Sequence, residues 1–408
     1  MDPASIVASP SSGRDQLQQL SNLLQQAVND RNIPTLQSYV REVFCNDNLS
    51  LSLLRPLIAE YARAITSLPD DLHQQIAQYT LQQLHPRAQS FEAALTAIRI
   101  QLATVLETQE QFTAAANVLA SIRWDGSLTN PDFKVDTLVK TARFYLLENN
   151  AADAEPFINN AMSLITKHGS TQSKLRFHIC HATMLEYKLR FLDAAVRYYQ
   201  LSQREPNWIF EGCNVGEAEV MEWLKQACIC IVLASAGPRR SRFLGLLYSD
   251  ERTRGLEIFA LLEAIYMERF VRNEQIVEFD KEYLKNKKFL GRGDREEKGG
   301  MGGGSVLEKA MRMHNVLAAA KLYKNIRFED LGELLGVEKD VAERIAADMV
   351  YEKRLDGVID QVDGVVVFEM GKRRENSLLR WNEQVEGVCH AADDCAAAIL
   401  KVYPQFAE

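Results

Sequence analysis

Residues 308–369 constrain the fold more than any other part of the chain, because each change of periodicity within them is marked by its own turn residue. Val316, Leu317, Ala320 and Tyr323 recur at helical spacing and predict a first helix. Ile326, Arg327 and Phe328 read as a short extended link. Residues 329–335 read as a second, short helix closed by Gly336, the residue type suited to a helix C-terminus. Val337, Val341, Ile345 and Met349 then recur every four residues, predicting a third helix that buries this stripe and is ended by Gly357. Residues 358–362 and 365–368 are β-rich, and Asp363-Gly364 between them is a two-residue hairpin signal. Such a turn pairs Val362 with Val365, Asp360 with Val367 and Ile359 with Phe368. Ile359, Gln361, Val366 and Phe368 then share the face that covers the helices. Val362, Val365 and Val367 fall on the opposite face. A hairpin apolar on both faces invites edge pairing, so these three valines are candidate interface residues.

Helix, short strand, helix, helix and hairpin is the layout of a winged helix. Many winged helices bind duplex nucleic acid, so charge decides between readings. From 337 to 354 the reading helix carries five acids against four bases, and residues 308–369 carry thirteen acids against nine bases. Phosphate neutralisation supplies most duplex affinity, and this surface does not offer it. The competing reading is a winged helix that holds other proteins.

Ahead of it, residues 14–279 are nearly all helical in pattern, with Pro34, Pro69, Pro86, Pro131, Gly169, Pro206 and Gly237 at intervals suited to connections. Leu53, Leu57, Tyr61 and Ile65 form one stripe; Leu95, Ile98 and Leu102 form another. The segments around Ala115, Ala154 and Ala194 resemble one another at spacings of 39 and 40 residues. Small residues at that point let antiparallel helices approach closely, as in a tetratricopeptide-like solenoid. Residues 216–236 form a strongly apolar helix, followed by a basic turn at 237–242, and residues 256–270 form another buried helix.

Residues 285–305 change character, with seven glycines and nine charged residues in twenty-one positions. This composition predicts a mobile loop, and Lys287, Lys288, Arg292 and Arg295 mark it as a candidate regulatory and trypsin-sensitive segment. After the hairpin and a polar joint at 371–374, Leu378, Trp381, Val385, Val388, Ala392, Cys395, Ile399 and Val402 alternate by three and four. This seam spans about 36 Å. A lone helix cannot bury such a stripe alone, so these eight residues are candidate subunit contacts.

Sites for chemistry are not legible. His178 and His181 flank Cys180, but a zinc site needs three or four ligands in a recognisable pattern. No His-Glu-x-x-His, His-x-His or Gly-x-Ser-x-Gly occurs, and Ser305 stands where a phosphate loop needs lysine. Catalytic, cofactor and metal residues are therefore expected to be absent. Cys228 and Cys230 read as core residues. Seven irregularly placed cysteines fit reduced thiols in cytosol or nucleus. The N-terminus reads as a short disordered leader without the pattern of a secretory signal. A net charge of −8 gives no reason to expect membrane or polyanion binding, and the longest apolar run, 227–236, is about half a membrane span.

A helical-repeat body running into a winged helix and a terminal helix resembles the PCI family, scaffold subunits of the proteasome lid, the COP-nine signalosome and translation initiation factor three. The resemblance is carried by residues 83–92 (QLHPRAQSFE), 234–252 (ASAGPRRSRFLGLLYSDER), 359–369 (IDQVDGVVVFE) and the link around Lys321, Leu322, Tyr323, Asn325, Ile326, Phe328 and Glu329. Within the family these stretches are most similar to a signalosome member; residues 285–304 depart from the pattern. The resemblance implies a mainly α chain in three parts. These are a solenoid (1–205), a PCI domain (helical part 206–284, loop 285–305, winged helix 306–370) and a bundling helix (371–408). It implies a non-catalytic scaffold, cytoplasmic and nuclear. Its partners would be other signalosome subunits, through the winged helix and terminal helix, and a cullin-RING ligase whose ubiquitin-like modifier is removed at a metal site in another subunit. Alternatives are a scaffold of the proteasome lid or of a translation initiation complex, a nucleic-acid regulator, and a free-standing peptide receptor.

Overall fold

The computed structural model describes residues 3, 13–45, 49–124, 130–204, 215–284, 305–368, 381, 385–393 and 395. The chain divides into two compact units, residues 1–189 with 203–216, and residues 190–202 with 217–408.

Among the described residues of the first unit the regular elements are helices, chiefly α1 (Gly13–Asn29), α2 (Ile33–Tyr39), α3 (Leu51–Ala64), α4 (Asp70–Gln83), α5 (Glu92–Thr108), α6 (Phe112–Ala120), α7 (Pro131–Leu147), α8 (Ala151–Leu164) and α9 (Thr171–Tyr187). Tyr39, Phe44, Tyr61 and Phe91 form an aromatic cluster at its N-terminal end, with centroid separations of 5.5–6.5 Å. The buried Tyr61 hydroxyl pairs with that of Thr80 at 2.8 Å. In the 83–92 stretch, Arg87 Nη1 donates to the Phe44 carbonyl at 2.9 Å, tying this turn to the cluster.

The repeat is visible as a backbone device. Glu110, Asn149 and Leu189 all take left-handed backbone, with φ of 59°, 61° and 58°, and lie 39 and 40 residues apart. Each follows a long helix and precedes the next. Gln111 N–H donates to the Leu106 carbonyl and Asn150 N–H to the Tyr145 carbonyl, both at 2.9 Å, so orphan helix-end carbonyls are satisfied. Ala115, Ala154 and Ala194, each five residues after its left-handed residue, are fully buried. Proline and glycine punctuation is correct at Pro34, Pro69, Pro131, Gly169 and Gly237. The repeat's own turns, however, use no glycine, because the paired helix-end hydrogen bonds hold ordinary residues in that conformation.

The second unit begins with α10 (Phe191–Ser202), packed on α11 (Glu217–Leu233), whose residues 227–233 are all buried. It continues through α12 (Pro238–Ser249), α13 (Phe259–Tyr266), α14 (Asn273–Tyr283) and α15 (Val306–Leu322). The segment 237–242 is not simply a basic turn. Pro238 opens α12, and the buried Arg240 donates Nε to the Ile231 carbonyl (3.0 Å) and Nη2 to the Val232 carbonyl (3.1 Å). Burial pulls its guanidinium down to about 10. Arg252 pairs with Asp250 and donates Nη1 to the Ser202 carbonyl at 2.8 Å. Two arginines of the 234–252 stretch thus cap the ends of α11 and α10. The helix expected over 256–270 is shorter: Leu256 is extended at one end, and at the other Glu268 takes left-handed backbone (φ 52°) while Arg269 N–H donates to the Ala264 carbonyl at 2.8 Å.

Candidate functional site

The winged helix is built by α15, β1 (Asn325–Arg327), α16 (Phe328–Leu335), α17 (Lys339–Tyr351), β2 (Gly357–Asp360) and β3 (Val365–Phe368). Ser305 opens α15 with a reciprocal cap: its hydroxyl accepts from Glu308 N–H and its own N–H donates to the Glu308 carboxylate. Polar pins fix α15 to the segment before α14. Asn315 both accepts from and donates to the Val271 backbone at 3.0 Å, and His314 Nε2 donates to the Arg269 carbonyl at 2.9 Å. Burial, with Arg240 adding repulsion, pulls the His314 imidazole down to about 4. Gly336 ends α16 at φ 65°, as its position predicts.

The third helix departs from expectation in two ways. Its buried stripe is Ala342, Ile345, Ala346 and Met349, while Val337 and Val341 are only partly buried. It ends at Tyr351 rather than at Gly357, because Lys353 takes left-handed backbone (φ 57°) and Arg354 N–H donates back to the Met349 carbonyl at 2.9 Å. Gly357 instead opens β2 and lies against the Val367 carbonyl.

The hairpin also differs. Its register pairs Gly357 with Phe368, Val358 with Val367, Ile359 with Val366 and Asp360 with Val365, leaving a loop over residues 361–364 instead of a two-residue turn. The cause is Asp360, whose carboxylate accepts from the amides of Val362 (3.0 Å) and Asp363 (3.2 Å) and so starts the turn early. The register moves by two, an even number, so no strand side chain changes face. Val366 and Phe368 are buried and Ile359 packs against the same core, as expected.

Strand order is β1-β3-β2, so Val365 and Val367 lie on the central strand and offer a face, not an edge. Backbone edges are presented by β1 and β2. Across the outer face run two rows, Asn325–Val367–Val358 and Arg327–Val365–Asp360. Val358 is 58% exposed, Val367 40% and Val362, at the loop tip, 95%. Val358 was missed as an interface candidate, although its even position places it with Val362 and Asp360. Alongside β1 a groove of about 750 Å³ is lined by Tyr323, Arg327, Asp330, Leu334 and Val365 among others.

In the terminal seam, residues 385–393 are helical; Trp381 is 65% exposed and Val388 70%, and Val385, Ala392 and Cys395 are exposed too. Leu378, Ile399 and Val402 lie outside the described residues, as do Lys287, Lys288, Arg292 and Arg295 of the glycine-rich segment.

Two of the four bases between 337 and 354 are paired with acids. Lys339 pairs with Glu329 at 3.2 Å and Arg354 with Glu352 at 2.8 Å. His181 stacks on Phe177, and burial pushes the Cys180 and Cys228 thiols up to about 12. Among the described residues no group of three or more His, Cys, Asp and Glu side chains could hold a metal ion. No helix among them is long and apolar enough to cross a membrane.

Two protein families match the chain: residues 284–370 match the PCI domain, and residues 8–206 match the family described as PSMD12/CSN4, N-terminal. Curated relatives align over most of the chain. COP9 signalosome complex subunit 4 of Arabidopsis thaliana is 34% identical over 95% of this chain and 95% of its own. Its Drosophila melanogaster counterpart is 35% identical over 90% and 85%. The Dictyostelium discoideum protein of the same name is 33% identical over 94% and 93%.

Proposed function

The chain belongs to the COP9 signalosome complex subunit 4 family, and on that premise we propose that it is a non-catalytic scaffold of the signalosome. It holds neighbouring PCI subunits and helps position a cullin-RING ligase against a catalytic subunit elsewhere in the complex, where the ubiquitin-like Nedd modifier is removed from the cullin. The reading keeps the three-part division at 1–205, 206–370 and 371–408, and places the protein in cytoplasm and nucleus.

One observation carries it. The chain exposes two apolar surfaces that a free protein has no reason to keep in water. One is the outer face of the wing, Val358, Val362 and Val367 with the half-buried Val365; the other is the terminal seam represented by Trp381, Val385 and Val388. Two sheet edges flank the first surface, and strand edges are templates for pairing with another chain. The excess of acids over bases from 337 to 354 disfavours the nucleic-acid alternative.

Val358→Lys with Val367→Lys leaves the inner face of the sheet untouched. The double variant should fold with the parent's thermal midpoint but co-purify with fewer neighbouring subunits. A chain cut after Glu375 should melt cooperatively yet fail to enter the complex, and cullin deneddylation by that complex should fall with it. Native mass spectrometry giving undiminished complex for both variants would sink the proposal.

A further inference from the structure

Residues 237–249 carry three arginines and no acid. One of the three, Arg240, turns inward to the Ile231 and Val232 carbonyls of α11. The other two, Arg239 and Arg242, are exposed, as are Leu246 and Ser249. These four recur at i, i+3, i+7 and i+10, so they form one outward stripe along α12. Arg239 stands in the first turn, where the helix dipole favours an acid, so α12 itself gains nothing from that charge. Arg242 and Leu246 are neighbours on the helix surface, four residues and about 5–6 Å apart at Cβ.

An aromatic platform flanks this stripe. A Cβ placed on Gly245 would lie 3.5 Å from the Tyr266 ring, so the last residue of α13 rests directly on the backbone of α12. Tyr248 stacks on Tyr266 at 4.6 Å and 21°, and on Phe259 at 5.8 Å and 13°. Three near-parallel rings therefore hold Tyr266 in place. Gly245 lies one turn beyond Arg242 and next to Leu246, so the ring and the stripe are adjacent. Leu246 is 54% exposed, Tyr266 38% and Met267, which follows it, 45%. Two guanidiniums thus stand beside an apolar ledge on a chain whose net charge is −8. A basic and apolar face of this kind complements an acidic, amphipathic partner.

We propose that Arg239, Arg242, Leu246, Tyr266 and Met267 form a docking face for an acidic amphipathic segment of another protein. Two carboxylates of that segment meet the guanidiniums, and an apolar side chain packs on Leu246 and the Tyr266 ring. Guanidiniums suit bidentate carboxylate recognition, and Arg, Tyr and Met are residue types favoured at the centres of protein interfaces. From Arg239 to Leu246 the stripe runs about 10 Å, so two turns of a partner helix cover it. A nucleic acid would need a longer basic track than two side chains provide. This inference does not depend on the assembly surfaces of the winged helix.

The test uses the full chain and a fluorescein-labelled helical peptide with Glu, Glu and Leu at successive four-residue intervals on an Ala and Gln background. Binding is followed by fluorescence anisotropy at low and physiological salt. It should saturate, weaken with salt, and fall about tenfold in Arg239→Gln with Arg242→Gln, as two exposed ion pairs are lost. Leu246→Gln should weaken it too, as should replacing the peptide's leucine by alanine. Lys281→Gln, which removes an exposed charge from α14, should leave it unchanged. Tm separates recognition from a structural role, because the exposed side chains should leave it at the parent's value or, for Arg239, raise it. A fall in Tm of the double arginine variant would mean that the guanidiniums already have a partner within the chain, and would overturn the proposal. So would the absence of saturable binding, equal binding of a peptide with both Glu replaced by Gln, or a labelled oligothymidine that binds while the peptide does not. Dimerisation of the parent that the double variant abolishes would give the face to a second copy of the chain and overturn it as well.

Discussion

Acidification should loosen α15 through His314. The imidazole is 3% exposed, donates to the Arg269 carbonyl, and is held down to about 4 from an ordinary 6.5. The folded state therefore favours neutral His314, while the unfolded chain protonates it near its ordinary value. Its contribution is fully present above pH 6.5 and is lost as pH falls towards 4. The full shift corresponds to about 3 kcal/mol, of which about 2 kcal/mol is lost between pH 7.5 and 5. His73, also lowered by burial, acts in the same direction in the first unit. The effect of His314 is therefore read locally, from hydrogen exchange of the α15 amides by mass spectrometry across a urea series at the two pH values. In His314→Gln the side-chain amide can still donate to Arg269 but does not titrate. Its opening free energy in α15 should change between the two pH values by about 2 kcal/mol less than the parent's. Equal pH sensitivity in parent and variant would refute the assignment.

Arg240→Ala should destabilise the second unit by about 3 kcal/mol or more in urea unfolding, because the Ile231 and Val232 carbonyls lose a charged donor and a cavity opens. Arg240→Lys should not restore it, since one ammonium lacks the fork that reaches both carbonyls; full rescue by lysine would contradict this. Glu110→Gly should raise thermal stability by about 0.5 kcal/mol, the left-handed cost removed less the entropy glycine adds to the unfolded chain. Asn149→Gly should gain less, because asparagine tolerates that conformation better. Loss of stability in Glu110→Gly would show that the Glu side chain matters more than its backbone.

Local chemistry settled much of this molecule. Apolar periodicity and the stop at Gly336 are properties of neighbouring residues, so the winged-helix order could be read directly from the chain. The repeat spacing was legible through Ala115, Ala154 and Ala194, because small residues are required wherever two helix backbones close on each other. The inward and outward faces of the hairpin followed from alternation alone, and survived a wrong turn because the register moved by two.

What depended on partners distant in sequence, or on competition between turns, was not legible. Asp360 could cap its own loop or leave Asp363-Gly364 to make a tighter one, and the sequence contains both options. The place of β3 between β1 and β2 turned two supposed edge residues into members of a face, since pairing with Asn325–Arg327 is a long-range event. Arg240 reads as surface charge until α11 ends beside it and supplies carbonyls. Sequence fixes which groups a chain carries and their local period; tertiary packing decides which of those groups meet.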